Sequence, residues 1–239
     1  VTTVIRYPNG DVPLDAEDRL WTARMLDGEG AHTEAEAALV IWTLLQRRYW
    51  GVGMERANPG AFAGYRSWAR FIRTFSQPIN PEWYRGGSKC GPGGGEVGTR
   101  GCAEERLARR AELARTPFER LDALAQRVAN DFVAGRLARP AGAVGVIDFR
   151  ARDNVQVNRP LATFPFPTAN RYFYSINSTS VGDRRLAAIR FVVDGVEQPI
   201  VEGWGDALVP ESPPGIGGVM LNLVPGAVKL FNNFAKKVP

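Results

Sequence analysis

Histidine is almost missing from this chain: His32 is the single one in 239 residues. A zinc hydrolase built on several histidine ligands is therefore excluded, and so is an His-x-x-x-His site. A Ser-His-Asp or Cys-His arrangement would have to use His32 itself. That residue sits in the polar stretch "GAHTE", with no serine or cysteine motif beside it. Cysteine is scarce too. Cys90 and Cys102 flank "GPGGGEVGTRG", and without further histidines they cannot complete a zinc site. A disulfide closing the glycine-rich loop is the expectation, with two unpaired thiols as the alternative. A disulfide would suit an oxidising, extracytoplasmic setting. Long apolar runs are also missing. No stretch approaches the length of a membrane span, and no charged-then-apolar signal pattern opens the chain. No metal and no cofactor is expected, so an enzyme made of these residues is left with carboxylate chemistry.

What is present is ordinary for a globular protein: 44% hydrophobic and 23% charged residues. The length suits one sizeable domain plus an extension. A net charge of +5 and a pI of about 9.5 favour anionic partners such as nucleic acid, cell-wall polymer or a membrane surface, and also serve solubility.

Residues 1–14 read as an N-terminal arm with turn signals in "YPNGD". Asp15 caps a helix over about 16–28, with Trp21 and Met25 on one face and Glu29 at its end. Thr33-Glu34-Ala35-Glu36 is a capping box opening a helix to about Trp50. That helix is apolar nearly all round, which marks it as the central, buried one. A short amphipathic helix is expected over 65–75, an irregular loop over 76–83, a glycine-rich insertion over 85–102 and a charged helix over 103–115. Another capping box, Thr116-Pro117-Phe118-Glu119, starts the next helix, which Gly135 ends. Beyond Pro140 the pattern changes to short extended segments, with a hairpin turning at Asp194-Gly195. Residues 211–218 form a linker, and 219–237 an apolar and basic segment broken by Pro225-Gly226.

Glu29 stands between Gly28 and Gly30, after a helix face carrying Trp21 and Met25. A carboxyl group in an apolar, partly dehydrated place keeps its proton to higher pH, as a general acid for glycosidic cleavage must. The glycines would let the backbone turn and a large substrate approach. The alternative is a glutamate near a helix end pairing with Arg24 or Arg47.

"GEG…EAEAALVIWTLLQRR" resembles the opening of the cell-wall hydrolase family that includes the spore-cortex-lytic enzymes. In that family a glycine-glutamate pair ends one helix, and a second helix closes with an Asn-Arg pair, here Gln46-Arg47. "FSQPINPEW" (75–83) is similar to its Gln-Pro loop, and "AQRVANDFVAGRLARPAGAVGVIDF" (125–149) to its Ala-rich helix, Gly turn and strand. "ANRYFY" (169–174) is similar to its Asn-x-x-Phe-Tyr motif through Asn170, Phe173 and Tyr174. The departures are Gln46 for Asn, the Cys90–Cys102 insertion and Arg171 where the family has a histidine.

The resemblance, over about residues 15–175, implies an α+β, mainly helical, lysozyme-like domain with a small β region. It implies cleavage of the β-1,4 bond between N-acetylmuramic acid and N-acetylglucosamine, with Glu29 as the acid. A hydrolase normally adds a second carboxylate, whereas a lytic transglycosylase needs one. Asp27 should point away from Glu29; Asp148 and Asp153 could serve, but a strand or loop aspartate more often forms a turn. The transglycosylase is therefore the expectation. Ser76, Gln77, Asn170 and Tyr174 are the candidate substrate-binding residues, with loop capping, turn formation or packing as their alternative roles. Residues 176–239 would form a C-terminal extension, and 211–239 would dock the enzyme to a virion or another assembly. The expected partner is the peptidoglycan glycan strand, met outside the cytoplasm by a secreted or virion-borne protein. Membrane binding ranks lowest. Nucleic acid is not expected, because the basic "RLARR" is interleaved with acids. The rival reading is a non-catalytic docking protein on the same scaffold.

Overall fold

The computed structural model describes residues 1–51, 57–59, 61–80, 104–151 and 159–204, with backbone alone for Gln77 and residues 104–107. The chain divides into two compact units, Val1–Gly205 and Asp206–Pro239. The Cys90–Cys102 pair, Asp153 and the 211–239 segment lie outside the described residues.

The first unit mixes helices and sheets. Helix α1 (Ala16–Glu29) begins where the Asp15 carboxylate accepts the N–H groups of Glu17 and Asp18, while Asp18 reaches back to the Asp15 N–H. The other oxygen of Asp18 accepts the Ala69 N–H at 2.6 Å. The start of α1 is thereby tied to α3 (Trp68–Phe75). Helix α2 (Glu34–Trp50) is buried from Ala35 through Gln46 without interruption. Each large apolar side chain so enclosed contributes roughly 1.5–3 kcal/mol, and α2 is the axis of the core. A 3-10 turn (Gln77–Ile79) follows α3. Helix α4 covers Glu104–Arg115 and α5 covers Ala123–Val133. The start expected at Thr116 holds only a 3-10 turn (Phe118–Arg120). The cap of α5 is Asp122, which accepts the N–H groups of Leu124 and Ala125. A one-turn helix α6 (Arg184–Ala187) completes the helices of the described residues.

The β structure is larger than the mainly helical expectation allowed. Strands β1 (Thr3–Tyr7) and β2 (Gly10–Leu14) form an antiparallel hairpin. The sheet continues through β7 (Arg190–Val193) to β8 (Val196–Glu197), in the order β2-β1-β7-β8. Residues 3–14 of the expected arm are thus part of a sheet, because a two-stranded hairpin needs a third strand and an apolar face to persist. Ile5 and Tyr7 supply that face. The same pairing joins residues 190–197 to the hairpin of residues 3–14, within the unit that runs to Gly205. The turn between β7 and β8 is Asp194-Gly195, both at positive φ as a tight hairpin requires.

A second antiparallel sheet has the order β4-β6-β5, from β4 (Val146–Ala151), β6 (Asn170–Tyr174) and β5 (Leu161–Ala162). It packs beside α2. Strands β3 (Arg139–Pro140) and β9 (Glu202–Gly203) form a short parallel pair. No helix among the described residues is long and apolar enough to cross a membrane.

Candidate active site

Glu29 is the last residue of α1, and the helix stops because Gly30 turns left-handed at φ 67°. Gly28 has a different task from the one its sequence context suggests. It is helical, and a Cβ there would clash with Pro78 Cβ and stand 3.0 Å from Leu113 Cδ1. Its missing side chain lets the turn after α3 close against the end of α1. That closure brings Ser76 to Glu29. The buried Ser76 hydroxyl donates to Glu29 Oε1 at 2.8 Å. Burial pushes the Glu29 carboxyl up to about 7, against the opposing pull of the Ser76 hydrogen bond and the positive charge of Arg110.

Glu29 lines a cleft of about 580 Å³. One wall is α4, through Arg109, Arg110 and Leu113; the other is β4, from Asp148 to Ala151, with Arg47 of α2 and Asn170 of β6. Asp148 is the second carboxylate among the described lining residues. It is 1% exposed and takes three guanidinium groups: Arg47 at 3.0 Å, Arg150 at 3.1 Å and Arg159 at 2.5 Å. One of its oxygens takes Arg47 and the other takes both Arg150 and Arg159. Asp27 binds Arg109 at 2.8 Å and accepts the Asp122 N–H, so it joins α1 to α4 and to the cap of α5.

The expected substrate-binding residues separate. Ser76 serves the carboxyl of Glu29. Gln77 sits in the 3-10 turn, and its side chain lies outside the described residues. Asn170 lines the cleft. It lies near enough to the Tyr172 hydroxyl to affect it, yet its buried Nδ2 makes no hydrogen bond of ordinary geometry among the described residues. Tyr174 is half-buried against the core and is not among the residues lining the cleft. Burial raises its phenol above the ordinary value. Gln46, at the family's Asn position, is buried and holds the turn before β4. Its amide donates to the carbonyls of Trp42 and Ala143 and accepts the Gly145 N–H.

The sequence pattern makes Glu36 the second half of a capping box. Thr33 does accept the Glu36 N–H. The Glu36 carboxylate instead accepts the N–H groups of Ala169 and Asn170 and, at 3.4 Å, the Tyr172 hydroxyl. It thereby fixes the start of β6 beside the cleft. Burial, then the charges of Glu36 and Glu29, raise the Tyr172 phenol well above its ordinary value. The missed signal was a glutamate set among Ala35, Ala37 and Ala38 on a helix apolar all round. A buried carboxylate must find donors. Among the described residues there is no group of three or more His, Cys, Asp or Glu side chains arranged to hold a metal ion.

Searches against protein-family models, curated proteins and solved structures found no match to this chain.

Proposed function

We propose that this chain cleaves the β-1,4 bond between N-acetylmuramic acid and N-acetylglucosamine in peptidoglycan, as a lytic transglycosylase with Glu29 as its one catalytic carboxyl. The observation that carries the reading is the Glu29 carboxyl in a cleft, raised to about 7 and oriented by Ser76. At that value both protonation states are populated near neutrality, which suits a group that must give and then take a proton. The protonated carboxyl donates to the glycosidic oxygen as its bond to the muramyl C1 breaks. The 6-hydroxyl of the same sugar then attacks C1, and its proton goes to the Glu29 carboxylate. A 1,6-anhydro ring forms and the acid is regenerated.

The ion pairs around Asp148 favour the single-carboxylate route over hydrolysis, since they leave that residue poorly placed to activate water. A glutamate ending one helix, a buried second helix and a small antiparallel sheet across a cleft also suit the lysozyme-like arrangement we infer. We further propose that the enzyme works outside the cytoplasm, secreted or carried on a virion, with residues 211–239 as its docking segment.

Mass spectrometry of purified wall digested by the full chain tests the reaction. New 1,6-anhydro-muramyl ends are expected. Hydrated reducing ends would make the protein a hydrolase, and the absence of any released saccharide would favour the non-catalytic scaffold.

A further inference from the structure

The cleft carries an excess of arginine that acid catalysis does not use. Arg47, Arg109, Arg110 and Arg150 line it, against the carboxyls of Glu29 and Asp148. Arg109 is engaged by Asp27 and Glu112. Arg47 and Arg150 are different. Both bind the same buried carboxylate, Asp148, which also receives Arg159. Even with Arg159 set aside, two positive charges share one negative charge.

The geometry of the pair suits a ligand. Arg47 gives Nη1 to Oδ1 and Arg150 gives Nε to Oδ2, so one carboxylate holds the two guanidinium groups from its two sides. Each guanidinium has five N–H donors, and among the described residues Asp148 engages one of them on each, leaving most of each fork over. The two side chains are 22% and 27% exposed, reachable from the cleft yet sheltered from bulk water. Arg47 is also steadied by the Phe75 ring, 5.7 Å from its centre. Burial foremost, and the crowding of Arg150 and Arg159, hold Arg47 below its ordinary value although Asp148 pulls it back up. An incoming anion would relieve that crowding. Guanidinium forks match carboxylates in shape and charge, and such contacts strengthen in a partly dry cleft.

We propose that Arg47 and Arg150, aligned by Asp148, form an anion subsite in the Glu29 cleft that takes a carboxylate of the muramyl residue or of the peptide it carries. This rests on the glycan-cleaving reading above. The carboxylate has two sources, the lactyl group of a peptide-free strand or the stem peptide of an intact one.

The test is equilibrium binding to the full chain carrying Glu29→Gln, so that ligands are not consumed. Three ligands separate the outcomes: a peptide-free muramyl tetrasaccharide, its carboxyl methyl ester, and the same saccharide bearing stem peptides. A carboxylate-bearing ligand should bind about tenfold more tightly than the ester, one charge-assisted contact's worth. The tighter of the two acidic ligands identifies the source. The preference should collapse in Arg150→Gln and be partly restored in Arg150→Lys. Equal affinity for all three ligands overturns the subsite, as does a preference undiminished in both Arg150→Gln and Arg47→Gln. If either variant fails to fold, the comparison of ligands on the parent chain still decides. Inorganic phosphate is the saccharide-free probe, read by NMR at the Arg47 and Arg150 Nε–H groups. Saturable shifts with phosphate but no saccharide binding would keep the anion site and remove the glycan reading. No shift with phosphate and no preference among saccharides would remove the site.

Discussion

The Ser76 hydroxyl donates a 2.8 Å hydrogen bond to Glu29 Oε1 across 47 positions of sequence. The bond stabilises the ionised carboxylate and opposes the effect of burial. Ser76→Ala should therefore raise the Glu29 pKa above its value of about 7. In the proposed reaction Glu29 works while protonated, so activity should fall as pH rises through that pKa. The alkaline limb of the rate profile should move to higher pH in the variant, and the maximal rate should drop because the carboxyl loses its orienting partner. Rates of wall lysis measured across pH check both effects. An unmoved limb would separate Ser76 from the acid.

The same burial predicts a pH-dependent stability. The folded Glu29 pKa, about 7, lies above the ordinary 4.5. The folded state holds this proton more tightly than the unfolded state. Stability from this group is full below about 4.5, declines as pH rises, and is lost above about 7. Glu29→Gln avoids that loss. It should match the parent protein at low pH and exceed it by about 1–3 kcal/mol above neutrality. Asp18, raised to about 6 chiefly by burial, adds a similar decline to both proteins and cancels in the comparison. Denaturant unfolding at several pH values gives the difference directly. A constant difference would contradict the burial of Glu29.

Gly28→Ala tests the closure behind the acid. Its Cβ meets Pro78 and Leu113, so the turn carrying Ser76 must move. The expected cost is about 1–3 kcal/mol of stability, as for an overpacked core. Activity should fall further than stability alone explains, because Ser76 moves with Pro78. Thermal melting and lysis rates on the same preparation separate the two.

Gln46→Ala tests the link between α2 and β4. The amide satisfies three buried backbone groups, on Trp42, Ala143 and Gly145. The Ala143 carbonyl keeps the Val146 N–H and the Trp42 carbonyl keeps its helix partner, so the substitution orphans the Gly145 N–H and should cost about 1–3 kcal/mol. Unfolding in denaturant checks this, and a cost below the range would mean that water replaces the amide.

Local features were legible in the sequence. The caps Asp15 and Thr33, the apolar circumference of α2, the turn at Asp194-Gly195 and the end of α1 at Glu29 depend on neighbours a few residues away. What escaped reading depends on distant partners. The hairpin of residues 3–14 looked like an arm because its third strand lies at 190–193. Gly28 looked like a hinge because Pro78, the atom group that demands its missing Cβ, is far along the chain. Glu36 fitted a capping box by spacing, while its carboxylate answers two N–H groups at the start of β6. Arg47, Arg150 and Arg159 converge on Asp148 only once α2 packs on β4.

The most direct measurement compares the full chain with its Glu29→Gln variant in clearing a suspension of purified peptidoglycan at neutral pH, with unfolding curves for both. The change preserves size and removes the transferable proton. Loss of clearing by at least about a hundredfold, in a variant as stable as its parent or more so, is the result predicted for a general acid. A variant that clears the wall at a rate near its parent's would contradict the assignment of Glu29 as the acid.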